Sequence, residues 1–173
     1  MKFSCEKALL QSAIAVTSRA VAQKSSIPAL EGLLIHADQQ LTISGYNMQT
    51  GIRTNVFANV VEGGDIVLNA RLFGDIIRRM PDDMITFTAD EKMMVHVSCG
   101  DADFDILGLS AADYPELPEV EDEYAVSMKQ SVLRRMIEEV AFAVSTNESR
   151  PVHTGALFEI ENMCLNMVAV DGF

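Results

Sequence analysis

The chain has 173 residues, 49% of them apolar, which suits one domain or one and a half with a real core. No run approaches the ~20 apolar residues of a membrane helix, and Met1-Lys2-Phe3-Ser4 opens no signal segment, so a soluble cytoplasmic protein without a membrane partner is expected. The net charge of -12 argues against nucleic acid only if the charge is evenly spread, because its distribution matters more than its sum.

Lys2 to Cys5 reads as a short strand and Glu6 to about Ala22 as a helix. Leu9, Ala13, Val16 and Ala20 form its apolar stripe, flanked by Leu10, Ile14 and Val21. Lys7, Gln11, Ala15, Ser18 and Ala22 make a small, polar opposite face. Pro28 biases Ile27 toward extended backbone and ends this element. The period then changes to two. Gly32–Ala37, Gln40–Gly45, Gln49–Val60 and Asp65–Asn69 read as four strands joined by polar or glycine turns. A second helix is expected from Ala70 to Met80, stopped by Pro81, with Leu72, Phe73, Ile76, Ile77 and Met80 inward. Met84–Ala89, Lys92–Ser98 and Asp101–Leu107 are three more strands. Ala111 to Pro118, followed by Glu119, Glu121, Asp122 and Glu123, has two prolines, many acids and no period, and reads as a linker. A third helix, about Lys129 to Ser145, is expected to bury Val132, Leu133, Met136, Ile137, Val140 and Val144. Gly155–Glu161 and Met163–Val170 form its hairpin. The class is α+β with antiparallel sheets, and the domains are 1–120 and 121–173.

A repeat runs through this order. Phe3 to Asn47, moved by 123 positions, falls on the stretch from Val126 to Asp171, with one inserted residue near the end. Leu9-Leu10 meets Val132-Leu133, Ile14 meets Ile137, and Gly32-Leu33-Leu34-Ile35 meets Gly155-Ala156-Leu157-Phe158. Within the first copy a β-α-β-β-β unit occurs twice, from Phe3 and from Ile66.

Charge is sorted by element. Nine of the 13 cations lie on or beside the three helices: Lys7, Arg19, Lys24, Arg71, Arg78, Arg79, Lys129, Arg134 and Arg135. Four of the 25 acids do, namely Glu6, Asp75, Glu138 and Glu139, so the helices carry about +5 and the remainder about -17. A basic helical face suits a phosphate backbone read without regard to sequence. No aromatic residue interleaves with the cations, which argues against a single-strand stacking platform.

Nothing in the pattern supports catalysis or a cofactor: GxSxG, HExxH, GxGxxG and a phosphate-binding glycine loop are absent. His36, His96 and His153 are scattered and read as structural. Cys5, Cys99 and Cys164 are odd in number, lack a CxxC, and read as small core residues. Asp101, Asp103 and Asp105 alternate on a strand and would share one face, about 7 Å apart. That face could hold a hard cation, but it lacks the glycine and distal glutamate of a calcium loop, and a charged edge is the simpler reading. Phe104 and Ile106 point the other way.

Met1-Lys2-Phe3, Ile27-Pro28-Ala29-Leu30, Asn69-Ala70-Arg71-Leu72-Phe73, Leu109-Ser110-Ala111-Ala112-Asp113-Tyr114-Pro115 and Val168-Ala169-Val170-Asp171-Gly172 together resemble the bacterial sliding clamp family, the beta subunit of DNA polymerase III. The resemblance runs along the whole chain. It implies the DNA clamp fold: domains of doubled β-α-β-β-β units, with helices lining a hole and sheets outside. It also implies a ring-shaped homodimer of three-domain subunits around double-stranded DNA, which tethers the polymerase without chemistry or cofactor. Polymerase and clamp loader would dock through peptide motifs. The DNA-facing residues would be Lys7, Arg19, Lys24, Arg71, Arg78, Arg79, Arg134, Arg135 and Asn147. Phe104 and Ile106, with Asp103 and Asp105, fall on the strand that joins one subunit to the next. His153, Val170 and Phe173 would be remnants of the peptide pocket.

The chain departs from the family in length, which is half of what is usual. It is expected to be the N-terminal portion, with its second domain half built and ring closure beyond its reach. Val170-Asp171-Gly172-Phe173 stands where the family usually has Thr-Asp-Gly-His-Arg; most of the pocket would come from residues outside this portion, so peptide binding by this portion is not expected. The acidic interface strand implies a basic facing edge in the third domain. Two readings compete: a binding or decoy module that pairs through open sheet edges without DNA, and a metal-dependent enzyme built on Asp101, Asp103 and Asp105.

Overall fold

The computed structural model describes residues 1–119 and 126–172, and the chain divides into two compact units, Met1–Glu119 and Val120–Phe173. In the first unit β1 (Lys2–Glu6) buries Phe3 and Cys5 and exposes Lys2 and Glu6, the alternation of a half-buried strand. The first helix, α1 (Lys7–Thr17), follows directly and tightens into a 3-10 turn at Ser18–Ala20. It is shorter than its apolar period suggests. The Thr17 hydroxyl is buried and donates to the Ala13 carbonyl at 2.8 Å, a local bond that competes with the helical ladder. Gly45 on the adjoining strand lets the helix end settle there, since a Cβ would overlap the Thr17 carbonyl oxygen.

The next strands are β2 (Gly32–Ala37), β3 (Leu41–Tyr46), β4 (Gly51–Val56), β5 (Asn59–Glu62) and β6 (Gly64–Asn69). The single strand expected over Gln49–Val60 is two. Asn47 Oδ1 accepts from the amides of Gln49 and Thr50, which delays β4 to Gly51. The chain then leaves its sheet at Phe57-Ala58, and β5 joins the other sheet. A period of two cannot reveal a change of sheet. After these strands come α2 (Ala70–Arg79), β7 (Met84–Ala89), β8 (Met94–Cys99) and β9 (Ala102–Leu107).

Two antiparallel sheets result, ordered β5-β1-β7-β8-β9 and β4-β3-β2-β6. Place β1 on β6, α1 on α2, β2 on β7, β3 on β8 and β4 on β9, and the order β4-β3-β2-β6 becomes β9-β8-β7-β1. The unit is therefore two β-α-β-β-β halves, each lending its first strand to the other's sheet. Phe3, Phe73 and Phe87 mark the joint. Phe3 stacks on Phe87 at 4.5 Å and Phe73 meets Phe87 edge-on at 6.2 Å, all three buried. Each such side chain contributes about 1.5–3 kcal/mol by burial, and each aromatic pair about 1 more.

The helix faces differ from the expected stripes. α1 buries Leu10, Ala13, Ile14 and Thr17, while Leu9 and Val16 are exposed. Leu9 and Val16 lie over β4 beside Phe57, and β4 is the last strand of its sheet, so nothing in the unit covers them. On α2, Phe73 and Ile77 are buried but Leu72, at the position equivalent to Leu9, is exposed. The stretch Ala111 to Leu117 is not a linker. Val67 and Leu109 exchange backbone hydrogen bonds at 3.0 and 2.8 Å, and Ala111–Asp113 makes a 3-10 turn. Tyr114 is buried in a second cluster with Ala29, Leu30, Tyr46 and Val67, and its hydroxyl donates to the Ser44 carbonyl at 3.3 Å. The acids Glu121, Asp122 and Glu123 lie outside the described residues.

The second unit has α3 (Gln130–Val140), 3-10 turns at Ala141–Ala143 and Pro151–His153, and one hairpin of β10 (Leu157–Glu161) and β11 (Cys164–Val168). Moved by 123, α1 and its 3-10 turn land on α3 and its turn residue for residue, and Pro28 lands on Pro151. The pairs Leu34–Ser44 to Ala37–Leu41 land on Leu157–Val168 to Ile160–Leu165, with the second strand shifted one residue more. The inserted residue sits in the turn, where Asn162 and Met163 take φ of 49° and 63°. Burial differs from expectation. None of Val132, Leu133, Met136, Ile137, Val140 and Val144 is buried, because two strands cover far less of a helix than two sheets do. Cys164, expected in a core, is exposed for the same reason, whereas Cys5 and Cys99 are buried.

Three outcomes follow from the packing. Tyr114→Ala should destabilise the first unit by about 3 kcal/mol and Tyr114→Phe by about 1, measured by denaturant melts; a linker residue would show neither. Burial pushes the Tyr114 phenol up to about 12. Its folded pKa then lies above the unfolded value near 10, so its share of stability is complete below about pH 10 and is lost as pH rises through about 12. Tyr114→Phe removes that share of the alkaline loss. Burial pushes the Cys5 thiol up to about 12 as well, so a thiolate-directed reagent at neutral pH should label Cys164 alone until the protein unfolds.

Candidate nucleic-acid interface

α1 and α2 lie side by side, and Gly74 allows it: a Cβ there would come within 3.3 Å of Ile14 Cγ2. One face of the pair enters the core. Between them on the open face runs a groove walled by Gln11, Ala15 and Ser18 from α1 and its end, and by Arg71, Asp75 and Arg78 from α2. The small, polar face read from the sequence is thus a groove wall. Its i, i+4, i+7 spacing was the available signal for that role.

The cations expected to face DNA fall into four groups. Arg71 and Arg78 share this groove, Arg71 in the first turn of α2, where Asn69 Oδ1 caps the Leu72 amide at 3.0 Å. Arg78 donates to Asp75 at 2.7 Å, three residues back on the same helix. Arg79 at the end of α2, Arg19 in the 3-10 turn and Lys24 beyond it are exposed. Lys7 is different: its side chain is 11% exposed and its ammonium pairs with Asp82 at 2.6 Å, tying the start of α1 to the approach to β7. Lys7 is held within the fold. In the second unit Arg134 pairs with Glu138 at 2.9 Å and Arg135 with Glu139 at 3.7 Å along α3. These exposed pairs are weak and salt-screened, so the arginines can trade them for phosphate contacts. Asn147 is exposed, and its Oδ1 accepts from the Ser149 amide at 3.0 Å in a turn after the helix.

β9 ends its sheet, with an outer edge that pairs with no other described strand. Asp103, Phe104 and Asp105 are exposed on it, as is Leu107, which no sequence pattern singles out. Ile106, expected at the interface, is buried in the core. Asp105 accepts from or pairs with His96 Nδ1 at 2.9 Å on the neighbouring strand, and Asp101 lies in the turn before β9. His36 and Asp65 make a similar cross-strand pair. Among the described residues no group of three His, Cys, Asp or Glu is placed to hold a metal ion.

Of the pocket residues, His153 closes the second 3-10 turn, and its carbonyl accepts from the buried Ser145 at 2.9 Å. Its ring lies against Gly172, whose φ of 81° and lack of a Cβ permit the contact. Val170 is exposed two residues earlier. The structure thus brings His153 to the segment that carries Val170; Phe173 lies outside the described residues. No described helix is long and apolar enough to cross a membrane.

Residues 1–118 match the family model for the DNA polymerase III beta subunit N-terminal domain, and residues 127–173 match that for its central domain. The Beta sliding clamp of Halalkalibacterium halodurans is 32% identical, and that of Synechococcus elongatus 31%; each alignment covers 99% of this chain and 47% of the relative. Among solved structures, a DNA polymerase III beta subunit of Eubacterium rectale superposes with a TM-score of 0.95 at 33% identity, and the sliding clamp of Bacillus subtilis with 0.93 at 29%. Each covers 99% of this chain, which spans 47% of the other. By sequence, strand order and paired helices alike, the chain belongs to the DNA polymerase III beta subunit family, the beta sliding clamps.

Proposed function

We propose that this chain is the N-terminal portion of a cytoplasmic, non-catalytic DNA sliding clamp, with a first domain over residues 1–120 and the start of a central domain over 121–173. The observation that carries this reading is the sorting of charge by element. Arg71 and Arg78 share the open face of a helix pair, while 21 of the 25 acids are neither on nor directly beside the three helices in sequence. Such a face binds duplex DNA through its phosphates without reading sequence, and the acids outside the helices disfavour DNA elsewhere on the surface.

In the complete protein, the α1–α2 face and α3 would line the hole, with Arg19, Lys24 and Asn147 at the loops around them. Two subunits would close the ring through β9, where Phe104 supplies the apolar contact and Asp103 and Asp105 meet a basic edge. Ile106 supports that strand from beneath. Polymerase and loader peptides would dock near His153 and Val170 in a pocket completed by residues outside this chain.

DNA binding by this chain should weaken with salt. Replacing Arg71, Arg78 and Arg79 by Ala should lower the slope of log K against log salt by about 3, the signature of three lost phosphate contacts. An unchanged slope would remove the helix face from the DNA-binding surface. In a full-length relative carrying this first domain, Asp103→Lys with Asp105→Lys should weaken ring dimerisation by sedimentation; unchanged dimerisation would refute the charged edge.

A further inference from the structure

Two of the helices assigned to DNA carry acids beside their arginines. On α2, Asp75 and Arg78 both wall the groove between the helices, and Arg78 Nη2 donates to Asp75 Oδ1 at 2.7 Å. On α3, Arg134 Nε donates to Glu138 Oε1 at 2.9 Å. Moved by 123, Gln11 and Ala15 of the groove wall fall on Arg134 and Glu138, so this pair occupies the corresponding face of its own helix. We propose that Asp75 and Glu138 compete with DNA phosphates for these arginines. Each acid holds a guanidinium that DNA must take over, so the duplex is held weakly and exchanges its phosphate contacts readily. That role presupposes the proposed DNA-binding helix face and assigns the residues that set its strength.

The balance of charge along the helices shows how far the competition reaches. α3 has two arginines and two glutamates, a net charge of zero. α1 has one cation, Lys7, which the Asp82 carboxylate neutralises. α2 has three arginines and one aspartate. Among the described residues, no acid lies within ion-pair distance of Arg71 or Arg79. Within the helical spans, uncompensated positive charge is therefore confined to α2.

Helix stability alone does not account for Asp75. It sits inside α2, where aspartate is a poor helix former, and that cost is of the same size as the gain from one exposed pair. The pair is also open to water: Arg78 is 62% and Asp75 41% exposed, so a phosphate can reach the guanidinium directly. Exchanging carboxylate for phosphate swaps one anion for another at the same cation. Such a contact gains less than one made by an arginine that begins without a partner.

Anisotropy of a short fluorescent duplex titrated at low salt with the 173-residue chain tests this. Asp75→Asn and Glu138→Gln should each tighten binding about two- to fivefold. The gain should shrink as salt rises. Asp38→Asn with Glu91→Gln removes two charges from exposed turns outside the helices and should change affinity less than either single variant. Arg71→Ala should weaken binding more than Arg78→Ala does. In an Arg78→Ala background the gain from Asp75→Asn should be smaller, because the competition is gone. Affinity that falls with Arg71→Ala but ignores Asp75→Asn and Glu138→Gln would overturn the competition and leave the DNA-binding face standing. An equal gain from Asp75→Asn with and without Arg78 would overturn it too, since Asp75 would then act only by repelling DNA. Absence of binding, or affinity that ignores Arg71→Ala as well, would remove the face itself and this role with it.

Discussion

The first unit depends on an exchange of strands. β1 is sequence-adjacent to α1 but hydrogen-bonds to β7, and β6 is adjacent to α2 but hydrogen-bonds to β2. Each sheet thus takes a strand from the half to which it does not belong. The Phe3–Phe87 stack and the Phe73–Phe87 contact lock this exchange at the centre of the core. Because the two helices follow directly on the exchanged strands, the same constraint fixes α1 beside α2. The open groove between them, and the placing of Arg71 and Arg78 in it, is a consequence of how the sheets are completed.

The same constraint explains why the second unit looks so different while repeating the same elements. α3 has the length of α1 and its hairpin has the register of β2 and β3. Local sequence is enough for these, since helix ends, a proline and a two-residue turn are decided within a few positions. Burial is not local. Ile137 and Phe158 stand where Ile14 and Ile35 are buried, yet both are exposed, because only a completed pair of sheets could cover them.

Much of this was legible in the sequence. The offset of 123, the doubled unit and the split of charge between helices and strands were all visible, since each rests on periodicity or composition. Features that depend on distant partners were not. The break at Phe57-Ala58 is invisible because β4 and β5 share a period but not a sheet. The proline- and acid-rich stretch around Tyr114 has the composition of a linker, and only its packing under Tyr46 and Val67 gives it a place in the fold. At the candidate interface, residue type located the cations but not their state. Lys7 reads like Arg19 in the sequence, yet it is tied to Asp82. Ile106 reads like Phe104 and shares its face, opposite Val95 and Val97, yet Ile106 is buried while Phe104 stays 42% exposed, since alternation marks a shared face without saying how far along the strand that face is covered.

The central claim is that the interlocked halves create the helix pair, and the helix pair creates the proposed DNA-facing surface. Cutting the first unit between Gly63 and Gly64 tests it most directly. The resulting pieces each need the other to complete a sheet: 1–63 lacks β6, and 64–119 lacks β1 and β5. Circular dichroism and DNA binding should show both pieces unfolded and inert alone, with sheet structure and salt-sensitive DNA binding restored together on mixing. Cooperative folding of either piece by itself, or DNA binding by one piece without the other, would contradict the account.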